Sequence, residues 1–322
     1  MERPVFIVGC PRSGTTLLRE ILNRHPSLGI CDETRFHELV YLRRGAFGDL
    51  ADEQNRRRLI AEYLSCRPMQ QAEYASPRFA GTLLRESTGY RELFSGILRY
   101  YADQHGKARC GEKTPQHALF LDTLLEWFPE ARLLHLVRDP RACVASMQRA
   151  PWAMRRSVVT NARRWVRLNQ AAYRFRAHAG YLRVRYEALA SDPAAEVRRI
   201  CGFLQEDYAP ALLTGDQRPS KRARGAINAR AIDAWREQLT AMEVAQIEWA
   251  AGSALETFGY VRGTPRASAA KIIRGIAFAA FDSGRILMPR LPALWYRLAA
   301  PTRLASFEYW AGPKSWRKSA SG

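Results

Sequence analysis

Short apolar runs alternate along this chain with longer stretches in which apolar residues recur at helical spacing. Val5-Phe6-Ile7-Val8 reads as a buried strand, and Gly9 to Gly14 as a turn-rich loop. Thr15 to His25 carries Leu17, Leu18, Ile21 and Leu22 on one side of a predicted helix that must stop before Pro26. Ala51 to Cys66 and Gly89 to Tyr101 predict amphipathic helices, and His117 to Phe128 another. That last helix leads through Pro129 to a second apolar strand, Arg132 to Val137, after which Asp139 and Pro140 suit an N-cap and a first helical position. A long helix over Val158 to Ala177 and a strand over Tyr181 to Tyr186 follow. This alternation predicts an α/β fold: a central, mainly parallel sheet flanked by helices.

Gly9-Cys10-Pro11-Arg12-Ser13-Gly14-Thr15-Thr16 sits between the first strand and the first helix. Backbone N–H groups in such a loop can surround a phosphate, aided by the positive end of the helix dipole. Gly9 and Gly14 have Walker A spacing, but Thr15 stands where the Walker lysine belongs. Chemistry on the terminal phosphates of ATP or GTP is therefore disfavoured, and Arg12 supplies the positive charge instead. A second basic position, Arg138, lies at the carboxyl end of a predicted strand, where open α/β sheets bind ligands. Ser146, farther along the next helix, can add a hydroxyl donor. A pairing of Arg138 with Asp139 or a surface carboxylate, with Ser146 merely tolerated in the helix, is the alternative.

Composition sharpens this picture only in part. Of 322 residues 47% are hydrophobic, enough for a sizeable core, and 50 basic residues face 31 acidic ones for a net charge of +19. Such a field suits nucleic acid, an anionic membrane or a polyanionic small ligand, and arginine's planar fork matches phosphate and sulfate oxygens. No helix-turn-helix, RNA-recognition or zinc-finger pattern accompanies the charge, so no specific nucleic-acid partner is expected. Cys10, Cys31, Cys66, Cys110, Cys143 and Cys201 show no CxxC spacing, and no secretory signal precedes Val5. Reduced thiols in a cytoplasm and no metal are the expectation.

The motifs resemble those of the sulfotransferases that use 3′-phosphoadenosine-5′-phosphosulfate (PAPS), particularly the branch of bacterial and tyrosylprotein sulfotransferases. The likeness runs in order over about residues 4–260. Pro11 to Thr16 resembles the family loop for the 5′-phosphosulfate, which implies contacts from Arg12, Ser13, Gly14, Thr15 and Thr16. Leu136-Val137-Arg138-Asp139-Pro140-Arg141 with Ser146 resembles the signature whose arginine and serine hold the 3′-phosphate. Arg185-Tyr186-Glu187-Ala188-Leu189, followed by Asp192-Pro193, is similar to a segment near the nucleotide, and the resemblance places Tyr186 there. Phe203-Leu204, Trp235-Arg236 and Gly259-Tyr260 complete the bacterial pattern. The implied activity is transfer of a sulfuryl group from PAPS to a hydroxyl acceptor, releasing adenosine 3′,5′-bisphosphate.

The same resemblance implies catalytic groups. Cys31-Asp32-Glu33-Thr34-Arg35 is similar to the segment in which the glutamate before Thr-Arg is the general base, which falls here on Glu33. Gly111-Glu112-Lys113-Thr114-Pro115 is similar to the lysine-bearing segment, so Lys113 is expected to assist the leaving group together with Arg12. His25 and His37 are rival bases, since histidine takes this role in other branches. Ser220, Lys221 and Arg224 fall where the family has a loop over PAPS, with Ser220 near the place of a catalytic serine. Residues 1–262 are thus expected to form the catalytic domain and 263–322 a basic helical extension. Phe278, Phe281, Trp295, Tyr296 and Trp310 in that extension suit either packing on the domain or contact with a membrane surface or an acyl-bearing acceptor. A P-loop phosphotransferase and a non-catalytic polyanion binder are the competing readings.

Overall fold

The computed structural model describes residues 3–71, 76–150, 156–214 and 229–263. The expectations for Ser220, Lys221, Arg224 and residues 264–322 lie outside them.

Five strands form one parallel sheet: β1 (Val5–Gly9), β2 (Leu28–Cys31), β3 (Arg109–Lys113), β4 (Arg132–Val137) and β5 (Tyr181–Arg185), in the order β2-β3-β1-β4-β5. Alternation along β1 sends Val5 and Ile7 to one face and Phe6 and Val8 to the other. The first face packs on α1 (Thr15–Asn23) through Leu18, Ile21 and Leu22, with Ile200 and Leu204 of a later helix beside them. The second packs on α2 (Tyr90–Gln104) and on α4 (Val158–Tyr173), the helix after α3 (Pro140–Gln148), through Phe94, Ile97, Trp165 and Leu168. Both faces of the sheet are therefore covered, as a parallel sheet requires.

The expected strands β1, β4 and β5 form, and Asp139 caps α3 by accepting from the Arg141 N–H, with Pro140 in the first turn. The helix expected over His117 to Phe128 is instead a 3₁₀ turn, Pro115–Leu119, followed by a short α-helix, Leu121–Trp127. Phe120 leaves helical geometry between them (φ −128°, ψ 20°), while the His117 ring turns inward to two carboxylates.

Gly9 adopts φ 146°, and a β-carbon there would lie 2.3 Å from the Leu136 carbonyl oxygen. Gly14 adopts φ 101°, and a β-carbon there would lie 2.6 Å from the Tyr186 ring. These two close approaches fix the ends of the loop between β1 and α1.

Candidate active site

The carboxyl ends of β3, β1 and β4 lie side by side, with Ile7 opposite Lys113 and Gly9 opposite Leu136. The residues that follow them, Cys10 to Gly14 and Arg138, therefore meet at one edge of the sheet beside Lys113. Loop 10–14 closes on itself: the Ser13 N–H and hydroxyl both donate to the Cys10 carbonyl, the latter at 2.7 Å. The buried Ser13 side chain thus braces the loop rather than facing its mouth. Arg12 takes left-handed backbone geometry (φ 72°), an uncommon state for a residue with a β-carbon. Among the described residues no side chain caps α1 at Gly14, which leaves its first N–H groups, from Thr15 and Thr16 onward, for another acceptor.

Arg12 Nε donates to Ser146 Oγ at 3.0 Å, so the loop and α3 are joined by two of the expected site residues. Arg138 donates to the Arg12 carbonyl at 3.2 Å and the Ala231 carbonyl at 2.6 Å, and its guanidinium lies 4.1 Å from the centre of the Tyr186 ring. Asp139 does not pair with Arg138; it is bound by Arg141, which also reaches Glu248 at 2.8 Å. Among the described residues no carboxylate lies within ion-pair distance of Arg12 or Arg138. Enclosure of the Arg12 guanidinium and the neighbouring Arg138 charge push its pKa below the ordinary value. Two mutually repelling guanidiniums beside a free helix N-terminus are suited to an oxyanion.

Across β1, Lys113 is 2% exposed and its Nζ meets Asp32 Oδ1 at 2.7 Å and Glu33 Oε1 at 2.8 Å. Burial opposes its charge, but the two carboxylates outweigh burial and raise the Lys113 pKa. Asp32 also faces Arg19 at 3.6 Å. Burial would raise the Asp32 pKa, but Lys113 and Arg19 hold it far below the usual carboxylate range. Glu33 keeps 33% of its side chain exposed against 22% for Asp32, so it is the more accessible of the two carboxylates. The ion pair with Asp32 was not anticipated from the sequence, although Asp32 adjoins the expected base.

The two histidines have other duties. His25 lies at the opposite end of the sheet, between α1 and β2, where it bonds the Asp207 carbonyl and the Ser27 N–H. The His37 ring is fully buried against His117 (4.7 Å between centres) and Phe120 (5.2 Å). Burial and the His117 charge push its pKa far down. Neither histidine is placed to take a proton from an acceptor.

His117 bridges Glu112 at 2.7 Å and Glu38 at 3.3 Å; burial disfavours its charge, but the carboxylates prevail and raise its pKa to about 9. A raised pKa contributes stability that is complete below the unfolded value near 6.5 and lost as pH climbs through about 9. His37 and His135, whose pKa values burial lowers, act oppositely and cost stability as pH falls below about 6.5. The melting temperature is therefore expected to peak near that pH and fall on either side. Thermal melts should show His117→Gln losing the alkaline slope, roughly 1.4 kcal/mol per pH unit at its steepest. An unchanged alkaline slope in that variant assigns the effect elsewhere.

A parallel sheet flanked by helices, with a glycine loop and two arginines that have no carboxylate partner among the described residues at its carboxyl edge, is an open α/β fold of the class that binds ligands at that edge. More narrowly, residues 4–210 match the family model described as the sulfotransferase family, and the chain belongs to that family. It is 26% identical over 306 residues to nodulation protein NoeE of Sinorhizobium fredii, covering 83% of this chain and 68% of that protein. A putative protein-tyrosine sulfotransferase of Caenorhabditis briggsae is 24% identical over 254 residues, covering 73% of this chain and 81% of the relative. The sulfotransferase domain of the Synechococcus PCC 7002 olefin synthase superposes with a TM-score of 0.55 at 24% identity, over 82% of this chain and 98% of that domain. This last likeness carries the fold, which is that of a sulfotransferase. Among the described residues no group of three or more His, Cys, Asp and Glu could hold a metal, and no helix is long and apolar enough to cross a membrane.

Proposed function

We propose that this chain is an enzyme that transfers a sulfuryl group from PAPS to the hydroxyl of an acceptor, with residues 1–262 as its catalytic domain. The observation that carries the reading is the pair Arg12 and Arg138, joined to Ser146 and Tyr186 and lacking a carboxylate partner among the described residues. A buried Arg138 Nε without a hydrogen-bond partner among the described residues fits a donor with phosphate at two positions. In this reading the loop N–H groups and Arg12 hold the 5′-phosphosulfate, and Arg138 and Ser146 hold the 3′-phosphate, with Tyr186 supporting Arg138. Glu33 takes the acceptor proton as the acceptor oxygen bonds to sulfur. The bond from sulfur to the bridging phosphate oxygen breaks, and Lys113 and Arg12 stabilise the charge left on that phosphate. The relatives named for protein-tyrosine transfer bring a peptide tyrosine into the range of acceptors, beside small molecules, carbohydrates and lipids. Reduced, unpaired cysteines accord with a cytoplasmic setting.

Calorimetric titration tests the donor. Adenosine 3′,5′-bisphosphate is expected to bind at micromolar concentration, and adenosine 5′-phosphate and ATP far more weakly. Equal affinity for all three, or none, overturns the reading.

A further inference from the structure

Glu112 is 1% exposed and, among the described residues, hydrogen-bonds neither the expected base nor the oxyanion loop, yet it organises the segment beside them. Its Oε1 accepts from the Thr34 N–H at 3.0 Å, from the Thr34 hydroxyl, and from the Thr114 hydroxyl at 2.6 Å. Its Oε2 faces His117 Nδ1 at 2.7 Å, and His117 Nε2 faces Glu38 at 3.3 Å. Thr34 directly follows Glu33, and Thr114 directly follows Lys113. One carboxylate therefore ties together the two residues next to the base and the leaving-group lysine. On the other side of Glu33, Asp32 makes the matching tie to Lys113 itself.

This is a costly way to pin a loop. A buried carboxylate and a buried protonated histidine lose hydration that apolar residues would never forgo. The segment is also held in an unfavourable turn: Arg35 has φ 52°, with Phe36–Leu39 starting from it. Tyr63 reinforces the turn by donating to the Thr34 carbonyl at 2.9 Å. Such over-determination fixes the backbone on both sides of Glu33, whose side chain is paired with Lys113 and a third exposed.

We propose that Glu112, held by His117, is a positioning residue for sulfuryl transfer: it acts through Thr34 to set Glu33 relative to Lys113. The inference rests on the function proposed above. A displaced base costs turnover without weakening the donor site, because among the described residues Glu112 makes no hydrogen bond or ion pair with Arg12, Arg138 or Ser146.

The test uses the full chain and PAPS labelled in its sulfur, with a phenol, a sugar alcohol and water offered as acceptors. The number of active sites is counted by bisphosphate binding, so that kcat refers to folded, donor-competent protein. Glu112→Gln and Thr34→Val are each expected to lower kcat per site by about tenfold or more, with bisphosphate affinity unchanged. Thr34→Ser, which keeps the hydroxyl, is expected to restore it. A merely structural role predicts lower melting temperatures and fewer sites at unchanged kcat per site, and that result overturns the proposal. Should Glu112→Gln not fold, the Thr34 pair decides alone. Absence of turnover in the unsubstituted chain removes the enzymatic reading itself, a different failure from equal kcat per site in all variants.

Discussion

Arg138→Ala is expected to bind adenosine 3′,5′-bisphosphate roughly 10- to 100-fold more weakly than the unsubstituted chain, from the 1.5–3 kcal/mol typical of a charged hydrogen bond. Its affinity for adenosine 5′-phosphate should change much less. The guanidinium follows the end of β4, and its bonds among the described residues go to two carbonyls, which leave its charge intact. The Tyr186 ring supports it from one side at 4.1 Å, an arrangement that favours the cation without neutralising it. A 3′-phosphate would supply the missing anion. Because Arg138 also donates to the Arg12 carbonyl, a part of the loss could come through the loop. The two nucleotides separate these contributions: a loop effect weakens both alike, whereas loss of a 3′-phosphate contact weakens only the bisphosphate. Arg138→Lys is expected to recover part of the binding, since it keeps the charge and loses the planar fork. Equal weakening of both nucleotides in calorimetry would reassign Arg138 to support of the loop, and unchanged binding would remove it from the site.

The edge that carries these groups was legible where local sequence and tertiary role agree. β1, the glycine loop and α1 follow from an apolar run, Gly9, Gly14 and the spacing of Leu18, Ile21 and Leu22. β4 and the Asp139-Pro140 start of α3 were equally visible. β2 and β3 were not. Leu28–Cys31 is only four residues long, and Arg109-Cys110-Gly111-Glu112-Lys113 has almost no β-forming side chain. β3 is a strand because β1 and β2 flank it, and Gly111 serves that packing: a β-carbon there would lie 2.3 Å from the Val5 carbonyl oxygen. Its charged end is buried because Glu112 and Lys113 find partners that sequence spacing cannot reveal, on residues about 80 positions away. The misjudged helix at His117 has the same origin, since that ring is committed to Glu112 and Glu38. Departures from propensity thus gather around one buried polar cluster, as expected where local rules yield to a functional site.

Glu33→Gln is expected to reduce kcat by roughly 10²- to 10⁴-fold, the range for loss of a positioned general base, while bisphosphate binding stays unchanged. The substitution preserves shape, and Lys113 retains its 2.7 Å contact with Asp32, so the buried ammonium is not stranded. Folding should therefore survive, unlike in a Lys113→Met variant, which would leave two facing carboxylates without their shared cation. The neighbouring Asp32 is a poor substitute base. Lys113 and Arg19 occupy both of its oxygens and hold it far below the usual carboxylate range, so it has little drive to accept a proton. Asp32→Asn then serves as the control, expected to disturb Lys113 more than proton transfer. Turnover of sulfur-labelled PAPS, measured per bisphosphate-binding site, distinguishes the two carboxylates. A large fall in Glu33→Gln with a smaller one in Asp32→Asn assigns the base to Glu33. The reverse order would assign it to Asp32, and near-normal turnover in both would mean that the acceptor arrives already deprotonated or brings its own base. Because burial removes His37 from contact with any acceptor, no nearby histidine is available to take over.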